Sequence, residues 1–245
     1  MKVIFALAGE GNRFRNYFRT IKPLIKIGNK YMFQYAAESF PDKYEKIFVI
    51  QEQHSLRHNL DNIIEDIYPE SKIVETPPTI GQSETVYRGL NLLDDNENFM
   101  IFNCDSCFDD LSFFNKLEEL INNYSVDGCI PYFISTDKLD NKWSFLETQN
   151  NKIISIKEKQ KISDKASIGL YYFKSKLLYE KYYKKAFDNF SLANELYVSN
   201  VYEKMLKDNL DIYAIKVNNF ECFGTPEELE NFKSKYINLE IHSSF

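Results

Sequence analysis

The chain has 245 residues and a mass of 29.0 kDa, enough for one domain or two small ones around a substantial core. Hydrophobic residues make up 44% and charged residues 27%, which excludes a disordered chain. A net charge of −6 excludes nucleic-acid binding through a general basic field, so any phosphate has to be held by a few placed groups.

Residues 2–7 form a continuous apolar run that reads as a buried strand entering an Ala-Gly-Glu-Gly turn. Residues 32–40 read as a helix and 46–51 as a second buried strand. Leu56, Leu60, Ile63, Ile64 and Ile67 fall at helical spacing and predict one helix over 55–67. Residues 72–75 are a short strand, Pro77-Pro78 opens a loop, and Ser83 caps a helix to residue 93. Residues 99–103 are a buried strand that ends at Cys104-Asp105. Strands alternating with helices imply a mostly parallel sheet with right-handed crossovers. Ligands of such sheets bind at the C-terminal strand ends, where the 8–13 turn and Asp105 both fall.

The second half is mixed. Asp110 caps a helix over 111–124, and 128–134 is a strand. Residues 143–148 and 152–157 flank Gln149-Asn150-Asn151, a hairpin signal. A strand follows over 168–173, helices over 176–185 and 196–206, a strand over 211–217 and a helix over 226–236 that starts with Pro226. With no repeat or linker, the expectation is a single domain over 1–245, in halves of about 1–110 and 111–245.

Cys104, Cys107, Cys129 and Cys222 are too few for a disulfide scaffold, and Cys104-x-x-Cys107 lacks a second pair for structural zinc, so core thiols are expected. No run approaches the length of a membrane span, and the apolar run after Lys2 is too short for a signal peptide. The expectation is a reduced, cytoplasmic protein with no membrane partner. His54 and His58 stand i, i+4 but have no acidic partner motif, and read as an exposed helix face. Trp143 reads as core, and Tyr171 and Tyr172 alternate along a strand, so at most one faces a ligand. The lysine-rich 181–185 segment reads as a solvated helix face.

The strongest signal is Ala8-Gly9-Glu10-Gly11-Asn12-Arg13-Phe14, followed by Lys22-Pro23-Leu24. Two glycines after a strand expose backbone N–H groups that can cradle a polyphosphate, and Arg13 and Lys22 would add positive charge. Phe14 replaces the third glycine of a dinucleotide fingerprint, and no G-K-[ST] of a P-loop exists. Taken alone, the glycine pair reads more readily as a plain tight turn.

The loop is not alone. It resembles the G-x-G-x-R-[LMF]…K-P-L signature of the nucleotidyltransferases that make activated sugars and related phospho-compounds. The similarity continues in order over nearly the whole chain. IGQSETVYRGL at 80–90 resembles the loop and helix over the base, and FMIFNCDSCFDDL at 99–111 the strand with the metal-binding Asp. IKEKQ at 156–160 resembles the E-K motif facing the acceptor, ASIGLYYFKS at 166–175 the strand beside it, and CFGTPEELENF at 222–232 the closing G-T-P-E-[DE]-L motif.

That resemblance implies a Rossmann-like (GT-A-like) α/β fold: a mostly parallel sheet flanked by helices, with a smaller mixed, antiparallel acceptor-binding lobe. It implies attack of an acceptor phosphate on the α-phosphorus of an NTP, with Arg13, Lys22 and Asp105 catalytic. The nucleotide would be bound by Ala8, Gly9, Glu10, Gly11, Asn12, Arg13, Lys22 and Asp105, with Glu75, Thr76, Gly81 and Gln82 around the base. The acceptor would meet Glu158, Lys159 and Gly169. Mg²⁺ is the implied cofactor, on Asp105. The family's second metal-binding Asp, in W-x-D-x-G-T, is here Cys222, and a thiol is a poor Mg²⁺ ligand. Glu221 is the neighbouring carboxylate candidate, although strand alternation turns it to the opposite face from Cys222.

The AGEG variant resembles the branch associated with capsule precursors. This implies CTP as the favoured nucleotide and a phosphorylated small molecule, phosphoglutamine first, as acceptor; phosphocholine and sugar-1-phosphate enzymes share the scaffold. Family members self-associate, which is compatible with a homodimer. A glycosyltransferase of similar architecture would carry D-x-D, and Asp105-Ser106-Cys107 lacks the second Asp. A non-catalytic nucleotide-binding protein is the other alternative, supported by Cys222 alone.

Overall fold

The computed structural model describes residues 1–137, 139–191 and 195–242, with the backbone alone over 236–242. The first half contains β1 (Lys2–Ala6), β2 (Lys26–Ile27), β3 (Lys30–Tyr31), α1 (Met32–Glu38), β4 (Glu45–Gln51), α2 (Glu52–His58), α3 (Leu60–Ile67), β5 (Lys72–Thr76), α4 (Gln82–Gly89), β6 (Phe99–Phe102) and β7 (Ser106–Phe108). The second contains α5 (Leu111–Asn123), β8 (Gly128–Ile134), β9 (Ser144–Gln149), β10 (Lys152–Glu158), β11 (Lys165–Ser167), β12 (Tyr171–Phe173), α6 (Lys176–Phe187), α7 (Val198–Lys207), β13 (Ile212–Lys216), β14 (Phe220–Cys222) and α8 (Pro226–His242).

Ten strands make one continuous sheet in the order β11-β9-β10-β13-β8-β12-β6-β1-β4-β5. β6, β1, β4 and β5 are parallel, as the alternating helices require. β12 enters antiparallel to both β6 and β8 and so joins the parallel half to the mixed half. The strands of the second half therefore extend the same sheet.

Side-chain alternation splits the core in two. Val3, Phe5, Phe48 and Ile50 face one side, where α1, α3 and α5 bring Phe33, Leu60, Ile64 and Phe113 and the turn after α1 brings Phe40. Ile4, Ile47, Val49 and Ile101 face the other, against Val86 of α4, Tyr179 of α6 and Tyr202 of α7. Because both faces are covered, the central strands read as continuous apolar runs. No helix among the described residues is long and apolar enough to cross a membrane.

Four local expectations differ. The helix expected over 55–67 is two, broken at Asn59, whose φ of 59° is left-handed and ends α2. The break takes Leu56 off the face that buries Leu60 and Ile64 and leaves it 79% exposed. His54, read as exposed, is buried. Ser83 does not cap α4: Gly81 is the cap residue, and Glu84 reaches back to accept from the Ile80 N–H at 2.9 Å. The strand expected over 168–173 is confined to β12 at Tyr171–Phe173; residues 168–170 break the pairing around Gly169, and β11 precedes them at Lys165–Ser167. Other details hold, including Asp110 accepting from the Ser112 N–H at 3.1 Å and positive φ at Asn150 and Asn151 in the β9–β10 hairpin.

Phe40 packs against Phe5, Phe102, Phe108 and Phe114 with ring centroids 5.4 to 5.9 Å apart. Phe40→Ala is expected to cost about 3–5 kcal/mol by opening a cavity there. Urea unfolding would show a lowered midpoint at unchanged slope; an unmoved midpoint would mean that this cluster is not part of the core that sets stability.

Candidate active site

The site begins with a turn at the end of β1. Gln51, the last residue of β4, donates from Nε2 to the Ala8 carbonyl at 3.2 Å and to Glu10 Oε1 at 3.0 Å. That bond and the Arg15 guanidinium hold the Glu10 carboxyl below the usual carboxylate range. Gly11 has φ 62°, and a Cβ there would lie 2.9 Å from the Cβ of Lys22. Glycine is required both for the turn and for the passage of the Lys22 segment against it. Phe14 is buried and anchors the following turn, which leaves Arg13 exposed at the rim.

Lys22 crosses to the end of β6, where its Nζ lies 2.5 Å from Asp105 Oδ2. Both side chains are mostly buried, at 20% and 17% exposure. Burial lowers the affinity of Lys22 for its proton, but the nearby Asp105 charge dominates with the hydrogen bond and holds the ammonium charged well above the usual lysine range. β7 and β14 form a small antiparallel ribbon beside this pair, with Cys222 opposite Ser106, and the Phe223 N–H donates to the Asp105 carbonyl at 2.9 Å.

Around this pair lies a cavity of about 580 Å³. It brings together Ala8, Gly9, Glu10, Gly11, Asn12, Arg13, Lys22, Gly81, Gln82, Asp105, Glu158, Lys159 and Gly169. Three expected residues are not in its lining. Glu75 and Thr76 belong to β5, and Thr76 is buried; the segment Pro78–Gln82 beyond them lines the cavity instead. Glu221 stands opposite Cys107 and pairs with Lys235 at 2.6 and 2.9 Å, on the other face of β14 from Cys222. A role as metal ligand beside Asp105 does not fit it.

One wall is formed by Pro78–Gln82, Thr85 and Asn103, and Gln82 Nε2 donates to Asn103 Oδ1. Gly81 lets this loop press on residue 196: a Cβ would sit 2.5 Å from the Leu196 carbonyl oxygen. The Ser83 N–H donates to Leu196 O at 3.0 Å and the Leu196 N–H to Ile80 O at 3.2 Å. At the opposite end, Glu158 accepts from Ser144 Oγ at 2.5 Å and Ser199 Oγ at 2.7 Å. Burial nonetheless raises its carboxyl above the usual range. Tyr171 meets Ser144 Oγ at 3.1 Å, so of the tyrosine pair it is Tyr171 that faces the cavity. Trp143, read as core, lines the cavity while packing on Phe133 and Phe220.

Sequence reasoning missed Gln51, Asn103, Lys142, Glu195, Tyr197 and Glu228. Glu228, on the first turn of α8, pairs with Lys142 at 2.7 Å and accepts from the Cys222 thiol at 3.5 Å. Burial, with Asp105 and Glu228 nearby, pushes the Cys222 thiol far up, so it stays protonated. Asn103 and Glu228 stood inside recognised motifs, at 99–111 and 222–232; the others carry no local signal. Among the described residues, no group of three or more His, Cys, Asp or Glu is arranged to hold a metal by itself.

A glycine turn and a lysine–aspartate pair thus line one cavity at the strand ends of an α/β sheet. The chain belongs to the nucleotidyl transferase family, whose model matches residues 2–237. A nucleoside-diphosphate-sugar pyrophosphorylase from Vibrio cholerae superposes with a TM-score of 0.80 at 22% identity, over 95% of this chain and 99% of that one. A UDP-glucose pyrophosphorylase superposes at 0.78 with 18% identity, covering 98% of each chain. The inositol-1-phosphate CTP transferase from T. maritima gives 0.71 at 16% identity, over 96% and 94%. A comparison with curated proteins gives no match.

Asp105→Asn leaves the Lys22 ammonium mostly buried without its anion and is expected to cost about 2–4 kcal/mol. Lys22→Met in that background should restore most of the loss, since it removes the stranded charge. Denaturant unfolding of both variants checks this, and an Asp105→Asn protein as stable as the wild type would show that the pair contributes nothing to folding.

Proposed function

We propose that this nucleotidyl transferase moves a nucleoside monophosphate, CMP from CTP first, onto a phosphorylated small molecule, with phosphoglutamine as the leading acceptor and pyrophosphate as leaving group. The observation that supports the reading is one cavity lined by an amide-rich turn and by four cationic side chains, Arg13, Lys22, Lys142 and Lys159. Such a cavity can hold two phosphate-bearing molecules and is within the usual size of a small-molecule site. The choice of CTP and phosphoglutamine is supported by the AGEG variant of the turn. Glu158 and Glu195 at the acceptor end also suit an acceptor with an ammonium group.

The nucleophile is an acceptor phosphate oxygen, already an anion at neutral pH, so the reaction needs no general base. This agrees with the placement of His54 and His58, neither of which lines the cavity. The work left to the protein is to bring two anions together and to offset charge on the leaving group. The amides of Gly9–Asn12 and the Arg13 guanidinium would hold the β- and γ-phosphates. Lys22 would turn from Asp105 to the α-phosphate, where charge builds in the transition state. Lys159 would hold the acceptor phosphate.

The donors suit a Mg²⁺ ion. Mg²⁺ takes one or two protein carboxylates and completes its shell with phosphate oxygens and water. Asp105 would hold it, and of the other carboxylates in the lining Glu228, which accepts from Cys222, is the candidate for a second ligand; the protonated Cys222 thiol is a poor donor to a hard cation. When bound, the ion would neutralise charge on the phosphate oxygens.

Lys22→Ala is expected to lower kcat by roughly 10²- to 10³-fold, the usual cost of one transition-state donor. Near-normal kcat in a pyrophosphate-release assay would remove Lys22 from that role. Nucleotide choice is read by thermal unfolding with Mg²⁺ and CTP, UTP, GTP, ATP or dTTP. Ligand at about 100 times Kd adds about 2.7 kcal/mol, a shift on the order of 5–10 °C for a chain of this length. The largest shift with CTP supports the proposal; the largest with UTP or dTTP moves it to a sugar-1-phosphate enzyme, and a shift with UDP-sugars alone to a glycosyltransferase.

A further inference from the structure

Lys159 is the residue around which the acceptor end is built. Its φ is 55°, a left-handed conformation that a residue with a side chain adopts only when its surroundings impose it. The constraints are visible on both sides. Its N–H donates to the Trp143 carbonyl at 2.9 Å, and the preceding Glu158 carboxylate is clamped by Ser144 and Ser199. The side chain is held as well. Lys159 Nζ donates to the Tyr197 hydroxyl and lies 4.4 Å from the centre of the Tyr197 ring. The Tyr197 hydroxyl in turn donates to Glu195 Oε2. The ammonium therefore has its direction set by a phenol that is itself oriented by a carboxylate.

The segment that supplies Tyr197 is fixed through its backbone. Leu196 is bonded on both sides to the loop over the base, at Ile80 and Ser83. The Tyr197 N–H donates to Asn200 Oδ1 at 3.0 Å and begins α7. These anchors do not involve the phenol, so the side chain can be altered while its support stays in place.

We propose that Tyr197 is a positioning residue for the transfer: it aims the Lys159 ammonium at the acceptor phosphate, with Glu195 orienting the phenol. An ammonium has three donors. One given to Tyr197 leaves two for phosphate oxygens, in a direction that a free lysine side chain would have to find at an entropic cost. The inference rests on Lys159 as the acceptor-phosphate lysine proposed above. It adds that acceptor affinity is set by a residue on the segment that also buttresses the base loop.

The test has two arms. In steady-state kinetics with CTP and the phosphorylated acceptor, Tyr197→Phe keeps the ring and loses the hydroxyl. The acceptor KM should rise about tenfold, the loss of one hydrogen bond to a charged group, with the nucleotide KM steady and kcat changing far less than the acceptor KM. Tyr197→Ala, which also loses the ring, should raise it further, and Glu195→Gln should fall between Phe and wild type. In the second arm, trace acetylation of the free protein is mapped by mass spectrometry. Losing the phenol contact should make Lys159 about 2- to 5-fold more reactive in Tyr197→Ala relative to the other lysines. An acceptor KM that is unchanged or lower in Tyr197→Phe, equal rises in both KM values, or unaltered Lys159 reactivity would overturn the proposal. A wild-type protein that turns over no phosphorylated acceptor would instead sink the functional reading, and the acetylation arm would still decide whether Tyr197 holds Lys159.

Discussion

The ion pair between Lys22 and Asp105 is the constraint on which the site depends. It spans 83 positions of sequence and ties the segment after the glycine turn to the end of a central strand. The carboxylate 2.5 Å away works against the burial of this lysine and holds it charged. The pair has a price: a cation is kept from water in the protein alone. In the proposed reaction its value would lie in the entry of a triphosphate, because the ammonium is already desolvated and already beside Asp105, the residue proposed to hold the metal. Gly11 belongs to the same constraint, since the backbone must pass within reach of Lys22.

The sheet explains why the two ends of the cavity face each other. Parallel strands β6, β1 and β4 deliver the turn, Gln51 and Asp105 at their C-terminal ends. β12 enters antiparallel beside β6, and the strands beyond it bring Ser144, Glu158 and Lys159 to the same edge. Leu196 then closes the gap from the other side by bonding to the base loop. The two halves of the chain are thus joined by main-chain hydrogen bonds as well as by the common sheet.

How much of this was legible in the sequence follows from how local each feature is. The turn, the helix cap at Asp110 and the Asn150-Asn151 hairpin depend on a few adjacent residues, and each was read correctly. Glu75 and Thr76 fall outside the cavity lining because β5 carries its pairing through Thr76, which puts the cavity wall at Pro78–Gln82. Strand alternation alone pointed Glu221 away from Cys222, and the structure gives it Lys235 as partner. Leu56 fitted a helical stripe, but one left-handed Asn59 rotates it out of register. Tyr197 and Lys142 reach the cavity from a segment before α7 and from the start of β9, with no pattern around them. Tertiary packing put them there, and only coordinates reveal it.

The most direct measurement of the account is an isotope transfer. The acceptor phosphate would carry ¹⁸O, the CTP none, and the products would be followed by ³¹P NMR and mass spectrometry. Direct attack of the acceptor phosphate on the α-phosphorus predicts ¹⁸O in the bridge of the new diphosphate and none in the released pyrophosphate. Label in the pyrophosphate, or pyrophosphate released with the acceptor left unconsumed, would contradict it.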